Sequence, residues 1–467
     1  MIGRQERGQE DLFVAGRLRD LIPEDHILKR VHAVLDLAWL RHEVRDCYCD
    51  DNGRPSIAPE AAVRLMLAGF FQGIVHDRKL MREAQVNLAI RWFAGYRLDE
   101  KLPDHSSLTR LRQRWGPERF RRVFQKTVDA CVKAGLVDVD TVHVDATLIR
   151  ADVSWGSVIE VHAAKVLSEN PEDGGPDKGG RPKKVSTTDP EATMTTSRKD
   201  QKMAPSYKQH TAVDDKGGVI VDVAVTTGES SEGKGLLEQL ARVEANTTQT
   251  VKTVTADSSY AHAANYEALE GRGIEAVIPP QRQPRTNKPM PLMRFRYDER
   301  NALVRCPAGR KLRRSCRTEK GWMYRARVKD CRGCPNRSRC LTRSVTARQV
   351  LIVDGYAALL RARRKRRRWE DATVGKYVRH RWRVEGVHGV AKTQHGLRRA
   401  ARRGLANVRI QSYLTAAVMN LKRLAALLSW LFRLCACCRH PCRAIPARRD
   451  AISERPIDLH APLPHAA

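Results

Sequence analysis

The chain has 467 residues, enough for roughly two to four domains and a sizeable hydrophobic core. Lysine and arginine number 85 against 53 aspartates and glutamates, which gives a formal charge of +32 at pH 7. This excess of cations predicts a polyanionic partner: nucleic acid first, an anionic membrane surface second. No apolar stretch is long enough to span a bilayer and no signal core opens the chain, so we expect a cytoplasmic protein without membrane attachment.

Residues 1–135 are predicted to form a helical domain, because apolar residues recur there at helical spacing. A helix is expected over 107–115, closed by Gly116. An arginine-rich helix that follows another helix is typical of a helix-turn-helix-like DNA-binding domain, although a bundle with a cationic surface is the alternative. The arginines expected to contact DNA are Arg110, Arg112 and Arg114.

Over residues 136–280 the sequence changes to the alternating apolar and polar pattern of strands. The run 139–149 predicts a strand, and Asp145 lies in its middle, where aspartate is disfavoured. Further strands are expected over 208–213, 218–226, 250–256 and 274–278, with helices over 233–245 and 263–271. Asp257 directly follows a strand, which is a usual place for chemistry in α/β sheets. An edge-strand aspartate and a capping aspartate are the structural alternatives.

Two segments interrupt this pattern. Residues 156–206 are rich in glycine, proline and lysine and are predicted to be a flexible insertion. Residues 281–375 form a basic inserted segment whose cysteines could bind a structural zinc ion, with free thiols as the alternative. The expected zinc ligands are Cys306, Cys331, Cys334 and Cys340, with Cys316 as a substitute. A cationic run in the same segment predicts phosphate contacts by Arg364, Lys365 and Arg366.

Residues 376–434 contain a basic, helical stretch with one carboxylate, Glu385. On a regular helix Arg381, His388 and Lys392 share a face with it. One acid on a cationic face suits a site that holds a metal ion and a phosphate backbone together, whereas a solvated charged helix is the alternative. Residues 435–467 are predicted to be a disordered tail.

Three acids that are distant in sequence could meet at one edge of the sheet: Asp145, Asp257 and Glu385. Three carboxylates can hold two Mg²⁺ ions about 3.5–4 Å apart, and such a pair of ions acts on a phosphodiester. Mn²⁺ suits the same oxygen ligands. The sequence therefore predicts a two-metal site within a cationic protein.

At these motifs the chain resembles insertion-sequence transposases of the DDE class. The matching stretches are 143–151, 255–260 and the Arg381-x3-Glu385-x6-Lys392 pattern. Residues 53–57 and 103–107 resemble the helical domain that precedes such catalytic cores. The resemblance implies an α/β ribonuclease-H-like core, with a mixed sheet flanked by helices. It also implies an all-α amino-terminal domain and an inserted basic segment that contains the cysteines.

The resemblance also implies an activity. Asp145, Asp257 and Glu385 would bind the metal ions, and Arg381 and Lys392 would contact phosphates near the scissile bond. The enzyme would cleave strands at element ends and join the 3′-OH to target DNA, acting as a homodimer on double-stranded DNA in the nucleoid of a bacterial cell. The alternatives are a nuclease with the same core, or a catalytically inactive DNA-binding copy or regulator.

Overall fold

The structure is a computed structural model that describes residues 16–49, 56–161, 183–196, 202–281, 289–342 and 344–439. The chain forms two compact units, Met1–Ala425 and Ala426–Ala467. The second unit is described as far as Arg439, where it is helical. Most of the predicted tail, from residue 440 onward, therefore lies outside the described residues. None of the described helices has both the length and the apolar character that a membrane span needs.

The amino-terminal region is helical, which confirms that part of the fold prediction. Its helices are α1 (Ile27–His32), α2 (Leu40–Glu43), α3 (Pro59–Phe71), α4 (Asp77–Val86), α5 (Leu88–Ala94) and α6 (His105–Lys133). The Asp104 side chain caps α6 by accepting a hydrogen bond from the Ser106 backbone N–H. Gly116 breaks α6 with a φ of 66°, and Pro117 then opens a second helical stretch, a position where proline is tolerated.

A buried ion cluster ties these helices to the carboxy-terminal part of the chain. Asp77, at the start of α4, is 6% exposed and accepts hydrogen bonds from Arg112 at 2.6 and 2.7 Å. The guanidinium of Arg402 lies 2.6 Å from the same carboxylate. Burial would raise the pKa of Asp77, but the two guanidinium groups hold it below its usual value. Charges buried this deeply are stable only when they are paired.

This cluster corrects one prediction about DNA contacts. Arg112 is buried against Asp77, so the prediction that it contacts DNA is wrong. The sequence does not reveal that Arg112 lies on the inner face of α6, because its partner, Asp77, lies in another helix. The segment 95–104 joins α5 and α6, which is longer than the turn of about three or four residues in a helix-turn-helix. Arg110 and Arg114 are exposed and stay predicted contacts.

A mixed, 8-stranded sheet forms the centre of the protein. Its strands are β1 (Thr141–Arg150), β2 (Val158–Val161), β3 (Lys183–Ser186), β4 (Thr193–Thr195), β5 (Ala204–Asp214), β6 (Ile220–Thr227), β7 (Thr253–Ala256) and β8 (Glu275–Val277). The order is β2-β3-β4-β5-β1-β7-β8, and β6 also pairs with β5. β1 is antiparallel to β5 and parallel to β7, and β7 is parallel to β8. This mixed sheet fits the predicted ribonuclease-H-like core.

The predicted flexible insertion is in part structured. Its described residues include β2, β3 and β4, which extend the sheet beyond β5. The prediction of a loop throughout 156–206 is therefore wrong for these residues. These strands are only three or four residues long, too short for a clear alternation in sequence, and backbone pairing of β2 with β3, β3 with β4 and β4 with β5 sets their conformation. Residues 162–182 and 197–201 lie outside the described part of the chain.

Helices cover the sheet. α7 (Leu236–Thr247) and α8 (Ala263–Gly271) lie on the chain between the parallel strands. α7 buries Leu236, Leu240 and Val243, which recur at helical spacing along one face. The last helix, α14 (Leu405–Arg439), is anchored by Asn420, whose side chain hydrogen-bonds both the N–H and the C=O of Ile220 at 2.9 Å.

The basic inserted segment folds around its own smaller core. It contains β9 (Arg296–Asp298), β10 (Leu303–Arg305), β11 (Lys311–Thr318), β12 (Gly321–Arg325) and β13 (Gln349–Val353), with α9 (Val328–Arg332) and α10 (Arg337–Cys340). These strands form a separate 5-stranded sheet in which neighbours are antiparallel. Phe295, Val304, Leu312 and Tyr324 belong to its hydrophobic cluster. The other hydrophobic cluster joins the amino-terminal helices and the main sheet, so the two regions share one core.

The stretch that carries Glu385 is not one regular helix. After α11 (Tyr356–Arg366), the chain forms α12 (Asp371–His380), a π-helical turn over Arg381–Glu385 and α13 (Gly386–Gln394). A π-helical turn widens the helix locally and breaks its 3.6-residue period. The assumption that Arg381 and Lys392 lie on one face of a regular helix is therefore wrong.

The ion cluster around Asp77 generates a stability prediction. Asp77→Ala should destabilise the protein by about 3–5 kcal/mol, because it leaves Arg112 and Arg402 buried without their counter-charge. Asp99→Ala is the matched control, since Asp99 pairs with Arg97 at the surface, and it should have little effect. Chemical denaturation of both variants measures the difference. Equal stability of the two variants would show that the cluster does not hold the regions together.

Candidate active site

Two predicted acids meet at the carboxyl end of the parallel strands. In the pairing of β1 with β7, Val144 stands opposite Ala256. Asp145 and Asp257 each come one residue later, so the same register places them side by side. Both line one open cavity of about 500 Å³. Parallel pairing is the cause, because it brings the carboxyl ends of strands from distant parts of the sequence to one sheet edge.

The cavity has charges of both signs. Its acids are Asp145, Asp257 and Glu232, and its cations are Arg150, Lys208, Lys392 and Arg398. Arg398 belongs to the segment after α13, and its carbonyl accepts a hydrogen bond from the N–H of Arg150, the last residue of β1. Acids surrounded by cations are suited to hold a divalent ion beside a phosphate.

Asp145 is a half-buried carboxylate that lies beside a histidine. Oδ2 of Asp145 lies 3.6 Å from Nδ1 of His388, whose Nε2 is 3.0 Å from the hydroxyl of Thr211. Burial would raise the pKa of Asp145, but the interactions with His388 lower it below the usual value. Asp145 is therefore ionised at neutral pH and oriented by α13.

Asp257 has the opposite shift. Burial raises its pKa, and the nearby carboxylates of Asp145 and Glu232 add to that effect. Hydrogen bonds from Ser259, including one from its N–H at 2.8 Å, act against it. Like charges at close range favour either a proton or a cation between them. The pair thus has the electrostatics of a site that gains from binding a divalent ion.

Glu385 stands apart from these two acids. Its side chain is 60% exposed, it pairs with Arg381 at 3.3 Å, and it does not line the cavity. Burial raises the pKa of Tyr377, and the charges of Asp257 and Glu385 both raise it further. Both carboxylates are therefore near enough to Tyr377 for their charges to act on its hydroxyl.

A buried polar network fixes the helix that precedes Glu385 to the strands beneath the acids. The Thr255 hydroxyl lies 2.6 Å from Nδ1 of His143 and 3.0 Å from Nδ1 of His380. Asp215 binds Nε2 of His143 at 3.0 Å and also pairs with Arg379. Burial lowers the pKa of His380 to about 4, so this ring is neutral at physiological pH. The network positions the end of α12, immediately before the π-helical turn.

Four charged residues of the cavity were not predicted as site residues from the sequence: Arg150, Lys208, Glu232 and Arg398. Lys208 is buried in β5 and pairs with Glu232 at 3.3 Å, and its ammonium also donates to the carbonyl of Ser230 at 2.8 Å. Glu232 begins a short 3-10 helix after β6. Lys208 had no clear signal in the sequence, because the residues around it in β5 are largely polar. Glu232 also had no signal in the sequence, because an acid before a helix usually acts as a helix cap.

The predicted DNA contacts divide into three groups. Lys392 lines the cavity, whereas Arg381 is exposed and does not line it. His388 is buried against Asp145 and Thr211, so the prediction that it contacts DNA is wrong. The run in α11 is exposed as expected, with Lys365 paired to Glu275 and Arg366 over the ring of Trp369.

The donor set fits a divalent ion in part. Asp145 and Asp257 supply the hard oxygen ligands that Mg²⁺ and Mn²⁺ prefer. In the described part of the chain, however, no three histidine, cysteine or acidic side chains are close enough together to hold a metal ion as they stand. Of the two other acids considered, Glu232 lines the same cavity as the aspartates, whereas Glu385 does not.

Two family models match the chain. The family described as "Transposase domain (DUF772)" matches residues 16–114, and "Transposase DDE domain" matches residues 305–425. The second match contains Glu385, whereas Asp145 and Asp257 lie outside both. No curated protein is similar enough in sequence to match.

Solved structures give weak similarities. One is a Mos1 mariner paired-end complex with manganese, with 13% identity and a TM-score of 0.16. Another is a Mos1 transposase paired-end complex with the left transposon end, with 10% identity and the same score. Each alignment covers 51% of this chain, and the chain spans 64% and 65% of the respective Mos1 chains.

A piggyBac transposase synaptic complex with hairpin DNA has 10% identity and a TM-score of 0.29, covering 91% of this chain and 82% of that one. Scores this low carry no argument about the fold or the site. The similarity that carries weight is that of the two matched regions: the amino-terminal helices match a transposase domain, and the region that contains Glu385 matches a transposase DDE domain.

Proposed function

We propose that this protein cleaves DNA strands at the ends of a mobile element and joins the released 3′-OH to target DNA, using two Mg²⁺ or Mn²⁺ ions. The observation that carries the proposal is the placement of Asp145 beside Asp257 in a cavity with four cationic side chains. Such a cavity matches the need of phosphodiester chemistry for oxygen ligands next to phosphate-binding cations. The reaction takes place on DNA, which for this class of element means the bacterial cytoplasm.

Each side chain has a defined task in this proposal. Divalent ions, when bound, stabilise the attacking and leaving oxygens of an in-line displacement. Asp145 and Asp257 hold them, and His388 keeps Asp145 ionised and correctly oriented. Lys392 and Arg398 bind phosphates on either side of the scissile bond. In the first step water attacks and frees a 3′-OH; in the second that hydroxyl attacks the target strand and displaces its 3′ oxygen.

Glu385 is proposed as the third acid, and it has to leave Arg381 to reach the pair. Phosphate competes with Glu385 for the Arg381 guanidinium, because both are anions and Arg381 is exposed. DNA binding would thereby release Glu385 toward the ions. The π-helical turn that contains both residues can reshape without disturbing α12, which the His380 network holds. Glu232 is the competing third ligand, because it already lines the cavity.

The acid assignments predict loss of catalysis with DNA binding retained. Asp145→Asn, Asp257→Asn and Glu385→Gln should each lower the Mg²⁺-dependent cleavage rate by about 10³-fold or more, since ion-mediated stabilisation contributes several kcal/mol. Cleavage of a labelled element end measures the rate, and a gel-shift measures binding. Asp140→Asn is the matched control, because Asp140 is an acid before the opposite end of β1 and pairs with Lys252.

Glu232→Gln decides between the two candidates for the third ligand. It should retain most of the cleavage that Glu385→Gln loses. The reverse pattern, with cleavage lost in Glu232→Gln and kept in Glu385→Gln, would reassign the third position. Full cleavage by either aspartate variant would refute the site itself.

The cavity cations predict a specific salt effect. Lys392→Ala should reduce the slope of log affinity against log salt by about 0.9 on duplex DNA, as expected for the loss of one phosphate contact. Lys252→Ala removes the same charge next to the start of β7, at the strand end away from Asp257, and should leave the slope unchanged. Binding titrations at several salt concentrations measure both slopes. Identical slopes for the two variants would remove Lys392 from the DNA path.

Strand joining separates a transposase from a nuclease that shares its core. The protein should join a pre-cut 3′ end to a target plasmid, and Asp257→Asn should abolish joining and cleavage together because both steps use one site. Gel analysis of the labelled end detects the joined product. Cleavage without any joined product, with both DNA ends supplied, would favour the nuclease. DNA binding with neither reaction would favour an inactive copy.

A further inference from the structure

Four cysteines of the inserted segment surround one small cavity. Cys306, Cys331, Cys334 and Cys340 all line it, and they come from the end of β10 and from the α9–α10 region. The cavity measures about 20 Å³. A space of about 10–15 Å³ already accommodates a single water-sized occupant, so this one suits a single atom or ion rather than an organic ligand.

The backbone around these cysteines forms tight turns. The N–H of Cys306 donates to the carbonyl of Arg310 at 2.9 Å, and the N–H of Gly309 donates back to the carbonyl of Cys306 at 2.9 Å. Gly309 has a φ of 75°, which glycine adopts without strain. Cys331 and Cys334 are separated by two residues across the end of α9. A short Cys-x2-Cys knuckle facing another cysteine-bearing turn is a usual nucleus for zinc.

The groups around the cavity include a cation, Arg348, that would stabilise negatively charged thiolates. Burial raises the pKa of Cys340, and the thiols of Cys331, Cys306 and Cys334 also raise it, so the four groups lie within electrostatic reach. Arg348 lowers that pKa and lines the same cavity. Its Nε is buried, and among the described residues it has no hydrogen-bond partner. A thiolate near this Nε would supply the hydrogen-bond acceptor that it lacks.

The hydrophobic core around the cavity is small, so a bound metal would add to the stability of this segment. The segment has a separate hydrophobic cluster that contains Cys340, with Cys306 and Cys331 packed against it. β11, its longest strand, is mostly exposed and rich in arginine, so the sheet buries few apolar groups. Small domains with small cores commonly depend on a metal or disulfides for stability.

We propose that Cys306, Cys331, Cys334 and Cys340 bind one zinc ion that stabilises the small sheet of the inserted segment. The four thiols release their protons to solvent as they bind Zn²⁺, and the resulting double negative charge is compensated by neighbouring arginines such as Arg348. The sulfur atoms do not yet stand at ligand spacing, because no three potential ligands do so in the described ranges. Binding therefore draws the four side chains inward around the cavity that they already line.

Cys316 does not take part in this site. It is exposed on β11 and does not line the cavity, so it is not the substitute ligand that the sequence left open. Its place outside the cavity makes it the matched control for cysteine substitution. A structural site of this kind is independent of the catalytic acids, which belong to the other sheet.

The test measures zinc in the full-length protein purified under reducing conditions. Elemental analysis should find one zinc per chain that Cys316→Ser retains and the double variant Cys331→Ser/Cys334→Ser loses. The double variant should also unfold at a lower temperature, whereas Cys316→Ser should not. Cysteines near the carboxyl terminus remain in all three proteins, so they cannot account for a difference.

A second pair of measurements keeps the proposal testable if the double variant does not fold. Cys334→His should retain zinc, because histidine is also a zinc ligand. Cobalt substituted into the wild-type protein should give the absorption of a tetrahedral site with four thiolates. Wild-type protein that binds no zinc after loading, zinc retained by the double variant, or disulfides among the four cysteines would each overturn the proposal.

Discussion

The parallel pairing of β1 with β7 is the constraint on which the proposed site depends. It places two aspartates, 112 positions apart in numbering (257 − 145), next to each other at one sheet edge. Neither local propensity nor charge favours placing the two carboxylates side by side, because like charges repel each other. The strands impose it, and the charge of Asp145 adds to the effect of burial in raising the pKa of Asp257. A site strained in this way binds cations readily, since an ion between the acids removes the repulsion.

The region around this pair is divided into fixed and adjustable parts. β1, β5 and β7 are fixed by the sheet, and the network of His143, Thr255 and His380 fixes the end of α12. Glu385 lies beyond that anchor, exposed and paired with Arg381 in a π-helical turn. An enzyme of the proposed kind gains from this arrangement. In the proposed mechanism, Glu385 would reach the ions only when a phosphate backbone competes for Arg381.

Much of the fold could be predicted from the sequence. The predicted strands 208–213 and 218–226 correspond to β5 and β6, and Gly116 interrupts α6 where a helix end was expected. These features follow from local periodicity and from the backbone preferences of glycine. The strands β2 to β4 were not predicted, because such short strands take their conformation from the neighbouring strand rather than from their own pattern.

Side-chain partners were the harder part of the site. Arg112 and His388 were expected to contact DNA, yet each is buried against an aspartate that the sequence places far away. Glu232 and Lys208 line the cavity, although no spacing links them to Asp145. The spacing of residues predicts which of them share a helical face. It does not predict which side chains pack against that face, because those contacts form only in the tertiary structure. The π-helical turn likewise cannot be read from a 3.6-residue pattern.

The most direct test of the account is a crystal structure of the protein bound to element-end DNA with Mn²⁺, in which anomalous scattering locates the ions. The account predicts two ions between Asp145 and Asp257, with the Glu385 carboxylate moved from Arg381 into ligand distance of one of them. A single ion held by the aspartates and Glu232, with Glu385 still paired to Arg381, would contradict it.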